Sequence, residues 1–165
     1  MSTLVVVGNP RPRSRTRAAA ESVLERLTGA PPDRVVDVVD LGARLLTWGD
    51  PAVADAVDAL RAAEVAVVAS PTYKGTYTGL LKLFLDQVGT GDLAGVVAVP
   101  LMLGGGPAHA LAPDLLLKPV LTELGATTPT RGLYLVDRSW DDPAVLDPWV
   151  STAAPLVAAT RGVGR

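Results

Sequence analysis

Apolar residues in this chain come in short solid runs, separated by longer stretches where they recur every three or four positions. Residues 4–7 (Leu-Val-Val-Val), 64–69 and 96–103 are runs of the first kind and read as strands covered on both faces. Residues 34–39 alternate more strictly and read as an edge strand, and 131–136 supply a fifth. Between the runs the spacing becomes helical. Ala19, Val23, Leu24 and Leu27 stripe a helix over 16–27 that begins near Ser14 and stops at Gly29 and Pro31-Pro32. Residues 51–63 form a second, with Asp50 as N-cap and Pro51 in its first turn. Residues 77–88 turn Leu80, Leu81, Phe84 and Leu85 inward, 108–124 run to Gly125, and 142–160 close the chain. Residues 41–50 read as a loop carrying Trp48.

Five strands alternating with helices predict an α/β fold, an open doubly wound parallel sheet with helices on both faces, in one domain over residues 1–165. In such sheets ligands bind outside the carboxyl ends of the strands. Every unusual loop of this sequence falls there: 8–16 after the first strand, 70–79 after the third, 104–109 after the fourth. That coincidence predicts one site.

Composition removes several kinds of chemistry. There are no cysteines and one histidine, so disulfides, thiolate nucleophiles and Cys- or His-rich metal sites are excluded. The net charge of −2 carries neither a nucleic-acid footprint nor the strong acidity of a small redox carrier. The mean hydropathy of +0.32 raises the question of a membrane span. The longest uncharged stretch, 93–113, is broken by Pro100, Gly104-Gly105-Gly106, Pro107 and Pro113, and so reads as strand, turn and helix start. With no basic leader before the first strand, the expected location is the cytoplasm.

The loop Gly8-Asn9-Pro10-Arg11-Pro12-Arg13-Ser14-Arg15-Thr16 joins strand to helix and makes a phosphate cup. Ser14 and Thr16 offer hydroxyls, Arg11, Arg13 and Arg15 offer cationic forks, and the helix start offers unpaired N–H groups. It is neither GxGxxG nor a P-loop, and suits a single terminal phosphate. In the second loop Pro71, Thr72, Tyr73, Lys74 and Gly75 form a non-helical turn before Tyr77. Its tyrosines can border an aromatic ring, and Lys74 and backbone amides favour developing negative charge. Gly104, Gly105 and Gly106, followed by Pro107 and His109, bring bare backbone against a planar ligand. Read singly, each loop also has a plain account: an arginine-rich turn with a Ser N-cap, a helix entry with Tyr77 in the core and Lys74 in water, a histidine that caps or packs. No nucleophile elbow or carboxylate pair appears, and no residue is assigned acid–base chemistry.

These three strings, with Leu80-Leu81-Lys82 and Leu117-Lys118-Pro119-Val120-Leu121 after the second and third, resemble the NADPH-dependent FMN reductase family. The resemblance spans about residues 4–136 and is strongest to the reductase components of two-component alkanesulfonate monooxygenases. It implies a flavodoxin-like fold with strand order 2-1-3-4-5 and hydride transfer from NADPH or NADH to FMN and on to a second acceptor. It also implies a homodimer or homotetramer with the flavin near a subunit interface, and a flavin-dependent monooxygenase as partner. Carried over by position, it assigns Asn9, Arg11, Ser14, Arg15 and Thr16 to the FMN phosphate, Pro71, Thr72, Tyr73, Lys74 and Gly75 to the isoalloxazine, Gly104, Gly105, Gly106 and Pro107 to its pyrimidine side, and Tyr77 to the edge. The chain departs from the family pattern at Asn9, where Ser is common, at Gly106, where a hydroxyl is frequent, and at Leu115, where the sulfonate-linked reductases often carry an aromatic residue. An FMN electron carrier without nicotinamide turnover and a flavin-free interaction module are the competing classes.

Overall fold

The computed structural model describes residues 1–161. Five strands, β1 (Thr3–Val7), β2 (Arg34–Asp37), β3 (Val65–Pro71), β4 (Val97–Gly104) and β5 (Leu133–Val136), form one all-parallel sheet in the order β2-β1-β3-β4-β5. β1, β3 and β4 are buried along their whole length, as their unbroken apolar runs require, and the alternating β2 lies at an edge.

The period-two side-chain geometry of the strands divides the core into two layers. Leu4, Val6, Ala66, Val68 and Ala98 face one way, against α2 (Pro51–Ala62), α3 (Gly79–Leu85) and α4 (Lys118–Glu123). Val5, Val7, Val67, Val99 and Leu101 face the other, against α1 (Arg15–Thr28) and α5 (Pro143–Thr160). Every one of these helices except α4, which follows directly on Leu117, starts behind a side-chain cap. Ser14 Oγ accepts from Arg17 N–H, Asp50 from Ala52 and Val53, Thr78 from Leu81, and Asp142 from Ala144. α1 ends at Gly29, whose φ of 80° lets its N–H turn back to the Glu25 carbonyl. Among the described residues no helix is long and apolar enough to cross a membrane.

Three expectations need correction. The stretch 41–50 is not simply a loop: 3-10 turns run over Val38–Leu46 with a break at Gly42, leaving Trp48 exposed beyond them. The helix expected over 108–124 is three pieces: a 3-10 turn at Pro107–His109, a π turn at Pro113–Leu117, and α4. Prolines explain it. Pro119 has no N–H to give the fourth residue back, and the Lys118 N–H reaches instead to the Pro113 carbonyl, five residues away. The helix over 77–88 is shorter than expected: it begins at Gly79 behind the Thr78 cap and ends at Leu85.

Candidate functional site

The loop after β1 is shaped by its own side chains. Asn9 is buried, its Nδ2 donating to Thr16 Oγ1 at 2.9 Å while its Oδ1 accepts the Arg11 N–H at 2.9 Å. The second bond is an Asx turn, which Pro10 and Pro12 reinforce by limiting the backbone. Arg13 takes the left-handed φ of 51°, and its N–H bonds to Asp37 Oδ2 at the end of β2. Ser14 and Thr16 both use their oxygens as acceptors, which leaves each O–H proton available to donate. α1 has no acid in its own first turn, and the carboxylates that reach its start, Asp37 and Asp137, come from the ends of β2 and β5.

The loop after β3 closes on itself. Tyr73 and Thr76 exchange backbone hydrogen bonds of 2.8 and 3.2 Å around Lys74 and Gly75, whose φ values of 53° and 83° mark a type I′ turn. Its base is pinned from inside: the Thr78 N–H donates to Ser70 Oγ, and Thr78 Oγ1 donates to the Gly8 carbonyl at 2.6 Å. Gly8 is required at that junction, because a Cβ there would overlap Leu81. The first and second loops are thereby fastened together.

The loop after β4 is held from β5. Tyr134 Oη donates to the Gly106 carbonyl at 2.8 Å, and a Cβ on Gly104 would occupy the place of that hydroxyl. Gly105 and Gly106 differ: a Cβ on either meets nothing within 4 Å, and neither has a left-handed φ. Neither packing nor backbone asks for glycine at these two positions. They keep a strip of wall free of side chains.

Three cavities run along this edge of the sheet and share walls. The first, about 260 Å³, is bounded by Asn9, Arg11 and Thr16 on one side and Pro71, Thr72, Tyr73, Gly104, Gly105 and Asp137 on the other. Thr72, Gly104 and Gly105 also bound the second, about 600 Å³, with Gly106, Pro107 and Tyr134. The third, about 490 Å³, adds Gly75 and the apolar Leu111, Leu115 and Leu116. So eleven of the fifteen expected site residues line connected space. Ser14, Arg15, Lys74 and Tyr77 line none of the three: Ser14 caps α1, Arg15 pairs with Asp137, Lys74 points from the turn tip into solvent, and Tyr77 packs on the core. The cleft suits FMN chemically. It is polar and cationic beside α1, side-chain-free in the middle, and Thr72 Oγ1 is buried on its wall with no partner among the described residues.

Sequence reading missed Asp37, Tyr134 and Asp137. Asp37 and Asp137 lie at the carboxyl ends of β2 and β5, whereas Tyr134 is the second residue of β5. The strand-end rule applied to those two strands would have found the two aspartates, but no glycine or proline string drew attention there. Asp37 is distinctive electrostatically. Burial pushes its carboxyl above the ordinary value and Asp40 adds to that, against the downward pull of the Arg13 N–H and the Arg17 charge.

Comparison with known proteins places the chain in a family. The family model described as NADPH-dependent FMN reductase matches residues 1–141. An FMN reductase (NADPH) of Escherichia coli strain K12 is 32% identical over 151 residues, covering 89% of this chain and 76% of that protein. The NADH-dependent FMN reductase SfnF of Pseudomonas fluorescens is 32% identical over 164 residues, covering 93% and 82%. The crystal structure of the NADH:FMN oxidoreductase EMOB in its apo form superposes with a TM-score of 0.82 at 34% identity, over 99% of this chain and 90% of that one. A flavodoxin from the domain Archaea, 18% identical with a TM-score of 0.65, shares the fold. With the family model spanning most of the chain and relatives above 30% identity along most of their length, this chain belongs to the NADPH-dependent FMN reductase family.

Proposed function

We propose that this chain reduces FMN with NADPH or NADH and passes the electrons to a second acceptor, free flavin for a partner monooxygenase being the first choice and a quinone the second. One observation carries the reading: three strand-tip loops wall a single cleft that is polar at the α1 end and free of side chains at Gly105 and Gly106. FMN supplies the redox chemistry when bound, accepting a hydride from the nicotinamide and giving electrons onward.

The protein's part is binding, orientation and electrostatics. Thr16, Asn9 and Arg11 hold the phosphate, with the Ser14 hydroxyl beside them. Thr72 donates its unpartnered hydroxyl to the ring, and Gly104 to Pro107 border it. Tyr73, 47% exposed on the cleft rim, covers apolar ring surface. No residue is asked to move a proton. Leu111, Leu115 and Leu116 form an exposed apolar face beside the cleft, and we assign the contact in a homodimer or homotetramer to it. We place the enzyme in the cytoplasm. The relatives named NADH-dependent FMN reductase SfnF support the nicotinamide and flavin substrates, and the monooxygenase partner rests on the sequence resemblance.

The test is anaerobic. The protein is titrated with FMN until flavin fluorescence is quenched, then mixed with NADPH or NADH. Bleaching of the flavin absorbance on a turnover timescale is the expected result. Quenching without bleaching would mean an electron carrier, and no quenching would mean a flavin-free module.

A further inference from the structure

We propose a second ligand site, between α5 and the chain entering β5, that takes a small aryl carboxylate. It lies at the amino end of β5, away from the carboxyl ends that wall the flavin cleft, and the cavities share no residue. The proposal therefore stands apart from the flavin assignment. The cavity measures about 450 Å³, inside the range of about 300–1,000 Å³ typical of small-molecule sites. Val145, Pro148, Trp149, Thr152, Ala153 and Leu156 make one wall, and their spacing of three and four is that of a single helix face. Pro129, Thr130 and Arg131 make the other.

Three features mark a binding site. Trp149 Nε1 donates to the Arg131 carbonyl at 3.2 Å, which fixes the indole beside the root of the Arg131 side chain before any ligand arrives. Arg131 is exposed, lines the cavity, and makes no ion pair among the described residues. No acid lines the cavity, so an entering anion meets this cation without a competitor on the wall. Thr130 is 1% exposed, and its Oγ1 has no hydrogen-bond partner among the described residues. A buried hydroxyl in that condition is unfavourable, and an acceptor bound against the inner wall relieves it.

These features select the ligand. The indole and the two prolines offer flat apolar surface to an aromatic ring. Arg131 offers a planar fork of N–H donors that matches a carboxylate. Val145 and Leu156, 45% and 42% exposed, keep apolar surface in water until something covers it. A twofold contact between copies would bring two Arg131 side chains to this groove with no acid on its walls to pair them, which disfavours self-association as the cover.

Phenylacetate, hexanoate and the neutral phenylacetamide are titrated into the protein while tryptophan emission is followed, with Trp149→Phe identifying the signal. Phenylacetate should change the emission saturably, with hexanoate about threefold weaker for want of a ring and phenylacetamide about tenfold weaker for want of a charge. Arg131→Gln should weaken phenylacetate about tenfold and phenylacetamide by less than about twofold. Thr130→Val should weaken phenylacetate about threefold without lowering the melting temperature, because the hydroxyl it removes has no partner in the free protein. Thr152→Phe fills the groove from an exposed position and should abolish the response. Thermal melts confirm that each variant is folded. By calorimetry, saturating FMN should leave phenylacetate affinity within about twofold. Competition between the two would move the carboxylate into the flavin cleft and overturn this proposal while leaving the flavin site standing. Equal affinity for phenylacetate and phenylacetamide, or no response to either, would also overturn it. An emission that shifts with protein concentration and not with ligand would make the groove an interface between copies, which is equally fatal to it.

Discussion

The loop after β1 is fastened by side chains at nearly every step, through Asn9 to Thr16 and Arg11, Ser14 to Arg17, and from outside by Asp37 and Thr78. In the loop after β4, among the described residues, the side-chain bond is Tyr134 to the Gly106 carbonyl. The first arrangement makes a stiff receptor whose donors are in place before a ligand arrives, so that little ordering remains to be done on binding. The second makes a smooth, lightly tethered wall against which planar groups can slide in and out. An anion needs directed donors, whereas an aromatic face needs area. The contrast separates ligand anchoring from ligand turnover along one cleft.

The harshest way to break the contrast is at the junction of the two fastened loops. Gly8→Ala places a methyl group into Leu81, whose Cβ and Cα are both in its path, and the backbone must move away from Thr78. Overpacking of this kind costs about 1–3 kcal/mol. The urea midpoint should fall accordingly, and FMN binding should be lost along with the cup. A wild-type midpoint would mean that the β1 loop is softer than its hydrogen bonds imply.

Asn9→Ala attacks the cup more narrowly. It removes the Asx turn and leaves Thr16 Oγ1, 1% exposed as a residue, without its donor. Losing a buried hydrogen bond of this sort costs about 1–3 kcal/mol. FMN affinity should drop about tenfold or more while riboflavin affinity changes little. Equal losses for the two flavins would place the phosphate elsewhere.

How much of this was legible in the sequence follows from the kind of force involved. The sheet was readable because apolar runs such as Leu4-Val5-Val6-Val7 have no stable home except between two layers of helix, and the caps Ser14 and Asp50 sit where local chemistry puts them. The three loops were readable because prolines and glycines mark backbone departures locally. Asp37, Tyr134 and Asp137 were not, because their importance comes from partners 24, 28 and 122 positions away. The π turn was half visible. Pro113 was read for what it does to a membrane span and not for what Pro119, six residues on, does to a helix. Tyr77 had the right chemistry for a ring neighbour, yet Thr78 as N-cap turns it toward the core.

At the lightly held end, Tyr134→Phe keeps the ring and removes one hydroxyl from the Gly106 carbonyl. That carbonyl belongs to a half-buried residue that water can reach, so the net loss is about 0.5–1.5 kcal/mol at most. The expected signature is a loss of about threefold for FMN and riboflavin alike, since the loop borders the ring and not the phosphate. A loss confined to FMN would contradict the division of the cleft drawn here.

The smallest effect tests what the stiff end gives up for its shape. Asp37 is buried at the end of β2, its Oδ1 has no hydrogen-bond partner among the described residues, and its carboxyl is held above the ordinary value chiefly by burial. A raised carboxyl binds its proton more tightly in the folded state than in the unfolded one. The stability it contributes is therefore full below the unfolded value and is lost as pH rises through the folded one. Asp37→Asn cannot ionise, yet its Oδ1 can still accept the Arg13 N–H. The variant should melt with the wild type at pH values below the ordinary carboxylate range and above it by about 2–4 °C at pH 7, the gap opening on the alkaline side of that range. Arg17 supplies the competing pull: its Nη1 is 4.0 Å from Asp37 Oδ2, but it also bonds Glu21 and is one-third exposed, so its attraction is shared and screened. A gap of opposite sign at pH 7 would show that this attraction outweighs burial, and that the cup is held by an ion pair instead of in spite of a buried charge.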